Sequence, residues 1–322
     1  MTSTIDAPPE ASPPSSTASL EGRTTAGDRA FRGLAVGAGC LIMVALAAVF
    51  LFLGLEGAPG VSADEQHYDG KGSFLGLVGP LVFGTTYAAV LALIIAVPFA
   101  IAIALFISHY APRSIATPLG YVVDLLAAVP SVVFGLWGGL ALGPAIRPLH
   151  GWLHDRLGWL PFFSAEPSAT GRTLLTAGVV LAIMILPIIT ALCREIFSQT
   201  PTLHQEAALA LGATRWEMIR YAVFPYARSG MVSAVMLGLG RALGETMAVA
   251  MVLSSTPLVT LTIIGSDNPR TIAAHIAQNY KETTPDKVAV LIACGLVLFA
   301  FTFGVNALAR WIVGRSERRQ RA

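Results

Sequence analysis

Charge is what this sequence has least of: Asp, Glu, Lys and Arg make up 12% of its 322 residues, about half the share a soluble domain carries. Set against 54% hydrophobic residues and a mean hydropathy of +0.67, that excludes a soluble globular protein and, beyond the N-terminus, a disordered one. Cysteine is scarce too. Cys40, Cys193 and Cys294 lie in or at the end of apolar runs, so they offer neither a disulfide framework nor a CxxC metal site. Lysine occurs at positions 71, 281 and 287. None of these completes a GxxxxGK[ST] loop, which excludes nucleotide binding through a P-loop. The histidines (67, 109, 150, 154, 204, 275) fall in loops or at the ends of apolar runs, leaving a haem or an intramembrane proton relay without ligands. His150 and His154 share a helical spacing of four. They read either as a metal pair or, with no third ligand nearby beyond Asp155, as interfacial surface residues.

What the chain does have is long uncharged runs. Leu34 to Leu55 is long enough as a helix, about 33 Å, to cross a bilayer core of about 30 Å. Five more runs follow: 72–108, helical from about Gly84; 115–146, holding Asp124; 174–193; 229–251, interrupted by Arg241 and Glu245; and 288–309. The fold class expected is therefore an all-α polytopic membrane protein with six transmembrane helices. Residues 1–33, rich in Pro, Ser and Thr, read as a disordered tail. The expected organisation is that tail, a first span over 34–55, an external loop over 56–83, a core of five spans over 84–313 and a basic tail over 314–322. Residues 252–264 are apolar but too short to span, and suit an interfacial or re-entrant segment.

Orientation follows from the basic residues. The N-terminal tail, the second connection, the fourth and the C-terminus hold Arg23, Arg29, Arg32, Arg113, Arg194, Arg215, Arg220, Arg228, Arg310, Arg315, Arg318, Arg319 and Arg321. The opposite loops hold Lys71, Arg147, Arg156, Arg172, Arg270, Lys281 and Lys287. Both termini are expected in the cytoplasm of a multi-pass inner (plasma) membrane protein. Arg241 is the one basic residue left, and it lies within a span.

The cytoplasmic connection 195–229 is patterned. Thr200-Pro201 opens one helix that runs through Glu206, Ala207 and Ala208 to a stop at Gly212. Thr214-Arg-Trp-Glu217 forms a capping box for a second helix expected to end before Pro225. Trp216, Ile219 and Val223 recur at helical spacing on one face. A pair of short amphipathic helices suits docking into a partner's groove or lying on lipid. In the fifth span, Arg241 and Glu245 stand four apart, so one continuous helix would put them on a common face, with Gly240 and Gly244 forming a GxxxG surface beside them. Charges in a span cost about 2.5 to 3.5 kcal/mol each on insertion scales and must face the bundle interior or water. A packing ion pair is one reading. Oxyanion capture is the other, because a guanidinium offers a bidentate fork and Arg before Glu is the weaker order for a helical ion pair. Asp124 reads as a structural cap or partner near the cytoplasmic end of the third run.

Glu206-Ala207-Ala208-x3-Gly212-x9-Ala222-x-Phe224-Pro225 resembles the EAA loop of ABC importer permeases, with Ala222 and Phe224 in place of the usual Ile and Leu. Gly-Arg241-Ala-Leu-Gly-Glu245-Thr-Met-Ala-Val resembles the corresponding motif of phosphate-specific ABC transporter permeases. Leu125 to Gly138, with Pro130-Ser131 and Phe134-Gly135, is similar to the PstC rather than the PstA type. The resemblance covers roughly residues 72 to 315. It implies a type I ABC importer permease fold, and partners comprising a PstA-like second permease, a PstB-like ATPase dimer and a PstS-like phosphate-binding protein, with no nucleic-acid partner. It implies no cofactor on this chain, MgATP being held by the ATPase, and no enzymatic activity of its own.

In this reading Arg241, Glu245, Thr246 and Ser131 form the path for inorganic phosphate, with Glu245 limiting the field of Arg241. Glu206, Ala207, Ala208, Gly212, Trp216, Ile219 and Val223 couple to the ATPase. Gly240, Gly244, Gly135 and Gly139 pack helices, and Pro98, Pro130 and Pro187 offer places to bend. Sulfate, molybdate and phosphonate are rival substrates, and a proton-coupled secondary anion transporter working through Asp124 and Glu245 is the alternative of a different class.

Overall fold

The computed structural model describes residues 26–68, 70–256, 258–282 and 284–321. The chain divides into two compact units, Met1–Val49 and Phe50–Ala322. In the first, helix α1 (Ala26–Val61) begins inside the segment expected to be a tail; residues 1–25 of that tail lie outside the described residues. Its side chains from 27 to 49 are exposed. A helix that is apolar all round suits lipid.

The second unit holds the end of α1, α2 (Phe74–Leu105), α3 (Arg113–Ala127), α4 (Ser131–Trp137), α5 (Gly143–Leu157), α6 (Leu174–Ser198), α7 (Thr202–Ala210), α8 (Arg215–Met218), α9 (Phe224–Leu243), α10 (Met247–Val252), α11 (Ile272–Asn279) and α12 (Pro285–Arg321). Five-residue turns of wider helix extend α2 to Tyr110 and join α4 to α5 and α8 to α9. Among the described residues six helices are long and apolar enough to cross a membrane: 27–61, Phe74–Tyr110, Ser131–Leu157, Leu174–Ser198, Arg215–Leu243 and Pro285–Trp311.

Several boundaries differ from the sequence reading. The second span starts at Phe74, capped by the Ser73 hydroxyl accepting from Gly76 N at 3.1 Å, so the external loop is shorter than 56–83. The third run is two elements: α3 is amphipathic, Pro130 breaks the chain, and the span begins at Ser131. Pro98 and Pro187, in contrast, lie inside continuous helices. The coupling segment is shorter than 195–229, because Glu195 still belongs to α6 and the helix opened by Thr214 runs on through Pro225 into the fifth span. Proline is tolerated there at the second position of α9, where the wider turn has already displaced the ladder. At the C-terminus, the residues from 314 continue α12 as helix to Arg321.

The core is the contact of α2 with α6. Ala88, Ala92, Ala96, Ala100 and Ala104 form a stripe on α2 that is at most 2% exposed, packed with Leu181, Ile185, Ile189 and Cys193 of α6. Small side chains let the two backbones approach where no hydrophobic drive separates helix from lipid. Asp124 of α3 pairs with Arg194 of α6 at 3.3 Å, the structural role expected of it, and the guanidinium lies over Gly120, where a Cβ would collide with it.

No described helix crosses 252–264. After α10 the chain is extended, with Ser255–Thr256 paired in parallel with Asn268–Pro269. Irregular backbone that is buried needs its polar groups matched, and Asn268 supplies much of this. Fully buried, it accepts from Leu174 N at 2.8 Å and donates to the carbonyls of Arg172, Ser254, Gly265 and Ser266 at 3.0 to 3.2 Å. Leu175 N and Ser168 N add bonds to the Ile263 and Ile264 carbonyls. The pair His150 and His154 is not a surface pair. His150 is fully buried, with both ring nitrogens unpartnered, while His154 Nδ1 lies 3.0 Å from the Phe163 carbonyl.

Candidate functional site

Helix α9 ends at Leu243, with Gly244 as its cap. Glu245 therefore does not continue the face that carries Arg241. It is 8% exposed, and its carboxylate accepts from Ala248 N at 3.1 Å, opening α10. Arg241 and Glu245 do not form an ion pair, whereas Asp124 pairs with Arg194. The common helical face expected for Arg241 and Glu245 is corrected by that geometry: the helix ends between them, and the carboxylate serves the start of the next helix. Thr246 donates from Oγ1 to the Gly244 carbonyl at 3.1 Å, which ties it to its own backbone.

Arg241 is exposed and lines an open groove of about 1200 Å³ between α9 and α12, floored by Ile188 of α6. Ser233, Leu237 and Arg241 recur every four residues along the α9 wall; Asn306 and Arg310 do so along the α12 wall. Spacing alone had separated these residues, since Arg310 falls just past the last apolar stretch and reads as part of a cytoplasmic tail. The sequence signal that joins it to the groove is its four-residue step from Asn306.

Ser131 stands at the first position of α4, half-buried. A Cβ on Gly135 would lie 2.8 Å from Ala248 Cα, and one on Gly139 would lie 3.0 Å from the Met251 carbonyl. Both sequence numbers rise together, so α4 and α10 run side by side in parallel, with Ser131 and Glu245 each about one turn before that contact. Gly135 and Gly139 are thus packing glycines. Within this chain Gly240 and Gly244 pack against no other helix: a Cβ on Gly240, which lines the groove, would meet nothing within 4 Å, and one on Gly244 only the Gly240 carbonyl.

The coupling segment separates into two groups. Glu206, Ala207, Gly212 and Trp216 are exposed and Ala208 is half-buried, with Leu203, Leu209 and Leu211 adding exposed apolar surface. Gly212 has φ +85, a left-handed stop that disfavours any other residue. The Thr214–Glu217 capping box is complete in both directions. Ile219 and Val223, however, are fully buried in the core with Phe197 and Cys193, which corrects their expected place on the docking face. The first helix starts at Thr202 with Pro201 as cap, while Thr200 is buried.

The chain is similar to known proteins over most of its length. Residues 96–318 match the family described as binding-protein-dependent transport system inner membrane component. The phosphate transport system permease protein PstC 2 of Mycobacterium tuberculosis is 44% identical over 89% of this chain and 92% of its own length. The PstC protein of Haemophilus influenzae is 36% identical over 86% and 90%. Among solved structures, a chain of a bacterial ABC transporter involved in the import of the acidic polysaccharide alginate shares the fold with a TM-score of 0.51, covering 90% of this chain and 98% of that one at 16% identity. A mostly helical chain with six candidate spans, a type I importer permease fold and a match over most of its length belongs to the family of binding-protein-dependent transport system inner membrane components.

Proposed function

We propose that this chain is one of two permease subunits of an ATP-driven importer that carries inorganic phosphate across the inner membrane into the cell, with both termini in the cytoplasm. The observation that carries the reading is Arg241, a cation within a candidate span, exposed in a groove and not ion-paired with Glu245. A guanidinium offers a phosphate two parallel N–H donors. The names of the relatives support phosphate among the oxyanions.

Ser131 and Thr246 lie near the same helix ends and contribute hydroxyl groups at most, Thr246 being bonded to its own backbone. The chain holds no nucleotide; MgATP belongs to a partner ATPase dimer that docks on Glu206, Ala207, Ala208, Leu211, Gly212 and Trp216. A second permease subunit closes the open side of the groove, and a phosphate-binding protein delivers substrate from outside.

The energy enters through a rod. The helix from Arg215 to Leu243 is continuous for 29 residues, about 43 Å at 1.5 Å per residue, with the docking residue Trp216 near one end and Arg241 near the other. Displacement of the docked end therefore moves the cation as part of one body, and no separate linker is needed to change the access of the groove.

The test is radiolabelled phosphate uptake by the assembled importer in proteoliposomes charged with MgATP. Arg241→Ala abolishes uptake with the subunits still co-purifying, and unlabelled phosphate competes where sulfate and molybdate do not. Normal uptake by Arg241→Ala in an assembled complex overturns the reading.

A further inference from the structure

We infer that Arg310, with Asn306 beside it, is a second anion station on the path that begins at Arg241. The inference rests on the groove being the phosphate path, as proposed above.

Both arginines line the same cavity, Arg241 from α9 and Arg310 from α12. Asn306 precedes Arg310 by one helical turn on the same face and lines the cavity with it. Opposite them, Ser233 lines the α9 wall eight residues before Arg241, about 12 Å along the axis. As consecutive spans, α9 and α12 run in opposite directions. The start of α9 is joined to the docking helix α8 through one continuous helix, so the later residues of α12 lie toward that side. The polar groups thus fall in two sets: Arg241 at one end of the groove, and Ser233, Asn306 and Arg310 toward the docking end. Between them the lining is apolar, with Leu237 and Phe303.

Two cation stations separated by an apolar stretch answer a requirement of conduction that a single arginine does not. An anion must bind well enough to enter and weakly enough to leave, and a second site of comparable field lets it leave the first without being released into a low-dielectric wall. An arginine serving only as a cytoplasmic topology marker has no need of an amide one turn away in the same cavity. The contrast is Arg315, whose guanidinium lies over the Trp311 ring at 5.4 Å and which does not line the groove.

The experiment uses the complete importer in proteoliposomes with internal MgATP and radiolabelled inorganic phosphate outside, measuring maximal uptake rate, half-saturating phosphate and ATPase activity. Arg310→Gln lowers the maximal rate roughly tenfold, the loss of one charge-assisted fork, with half-saturating phosphate nearly unchanged because entry is governed by Arg241. Arg310→Lys assembles normally and recovers only part of the rate, since it keeps the charge but not the bidentate geometry. Arg315→Gln transports as the unaltered protein does. Wild-type rates in assembled Arg310→Gln overturn the inference. Should that variant fail to assemble, wild-type rates in Arg310→Lys overturn it equally. Normal transport by Arg241→Ala overturns the path itself, a failure distinct from a silent Arg310 in a path where Arg241 is essential.

Discussion

Arg241 and Glu245, four residues apart, stand on either side of a helix end: α9 stops at Leu243, and the Glu245 carboxylate binds Ala248 N at 3.1 Å to begin α10. The consequence is electrostatic. A carboxylate one turn away on the same helix would have been placed to pair with the guanidinium; here it bonds the Ala248 N–H, and the guanidinium is left exposed in the groove.

If Glu245 is a cap, its oxygen matters more than its charge. Glu245→Ala lowers the stability of the purified complex by about 1 kcal/mol, and Glu245→Gln, which keeps an acceptor oxygen, loses less. Thermal melting in detergent distinguishes them. Equal melting temperatures for the two variants would assign the effect to charge instead.

The two pairs of glycines respond in opposite ways. Gly135→Val drives a branched side chain into Ala248 Cα and Met251 Sδ and costs about 1–3 kcal/mol or prevents folding. Gly240→Ala enters open space and, in a helix interior, gains up to about 1 kcal/mol. Melting of the two purified variants side by side checks both signs.

At the docking segment, the left-handed φ of +85 at Gly212 makes Gly212→Val costly by about 1–2 kcal/mol and displaces the Thr214 cap that follows. Leu211 is 90% exposed, so Leu211→Asp leaves the chain's own stability unchanged while removing apolar docking area. Co-purification of the ATPase is lost in both variants, and the melting temperature falls only in the first.

Asn268→Ala orphans the buried Leu174 N–H and withdraws the two amide hydrogens shared among the surrounding carbonyls, at about 1–3 kcal/mol for each buried group left without a partner. Asn268→Asp keeps the acceptor but sets a charge among carbonyl oxygens, which costs more. Amide hydrogen exchange over 252–268 rises in the order unaltered protein, Ala, Asp.

Much of the architecture is legible in the chain because membrane helices are written in composition: long uncharged runs can only be helices in lipid. The same holds for the Thr214–Glu217 box and the Gly212 stop, whose chemistry is local. Where runs are interrupted, composition is silent. Pro130 and Gly244 look like defects within spans, yet both are ends of helices, while Pro225 looks like an end and lies inside one. Ile219 and Val223 read as a docking face because period alone places them with Trp216; the core around Phe197 and Cys193 buries both.

The sequence by itself determined that this chain spans a membrane, that Thr214 and Glu217 cap a helix, and that Arg241 is the cation out of place, since residue type and spacing specify local structure and insertion cost. Only the tertiary structure decided that Glu245 caps a helix, that Gly135 rather than Gly240 packs closely, and that Arg310 shares a cavity with Arg241. Each of these depends on which faces of distant helices meet, and side-chain period fixes a face without naming its neighbour.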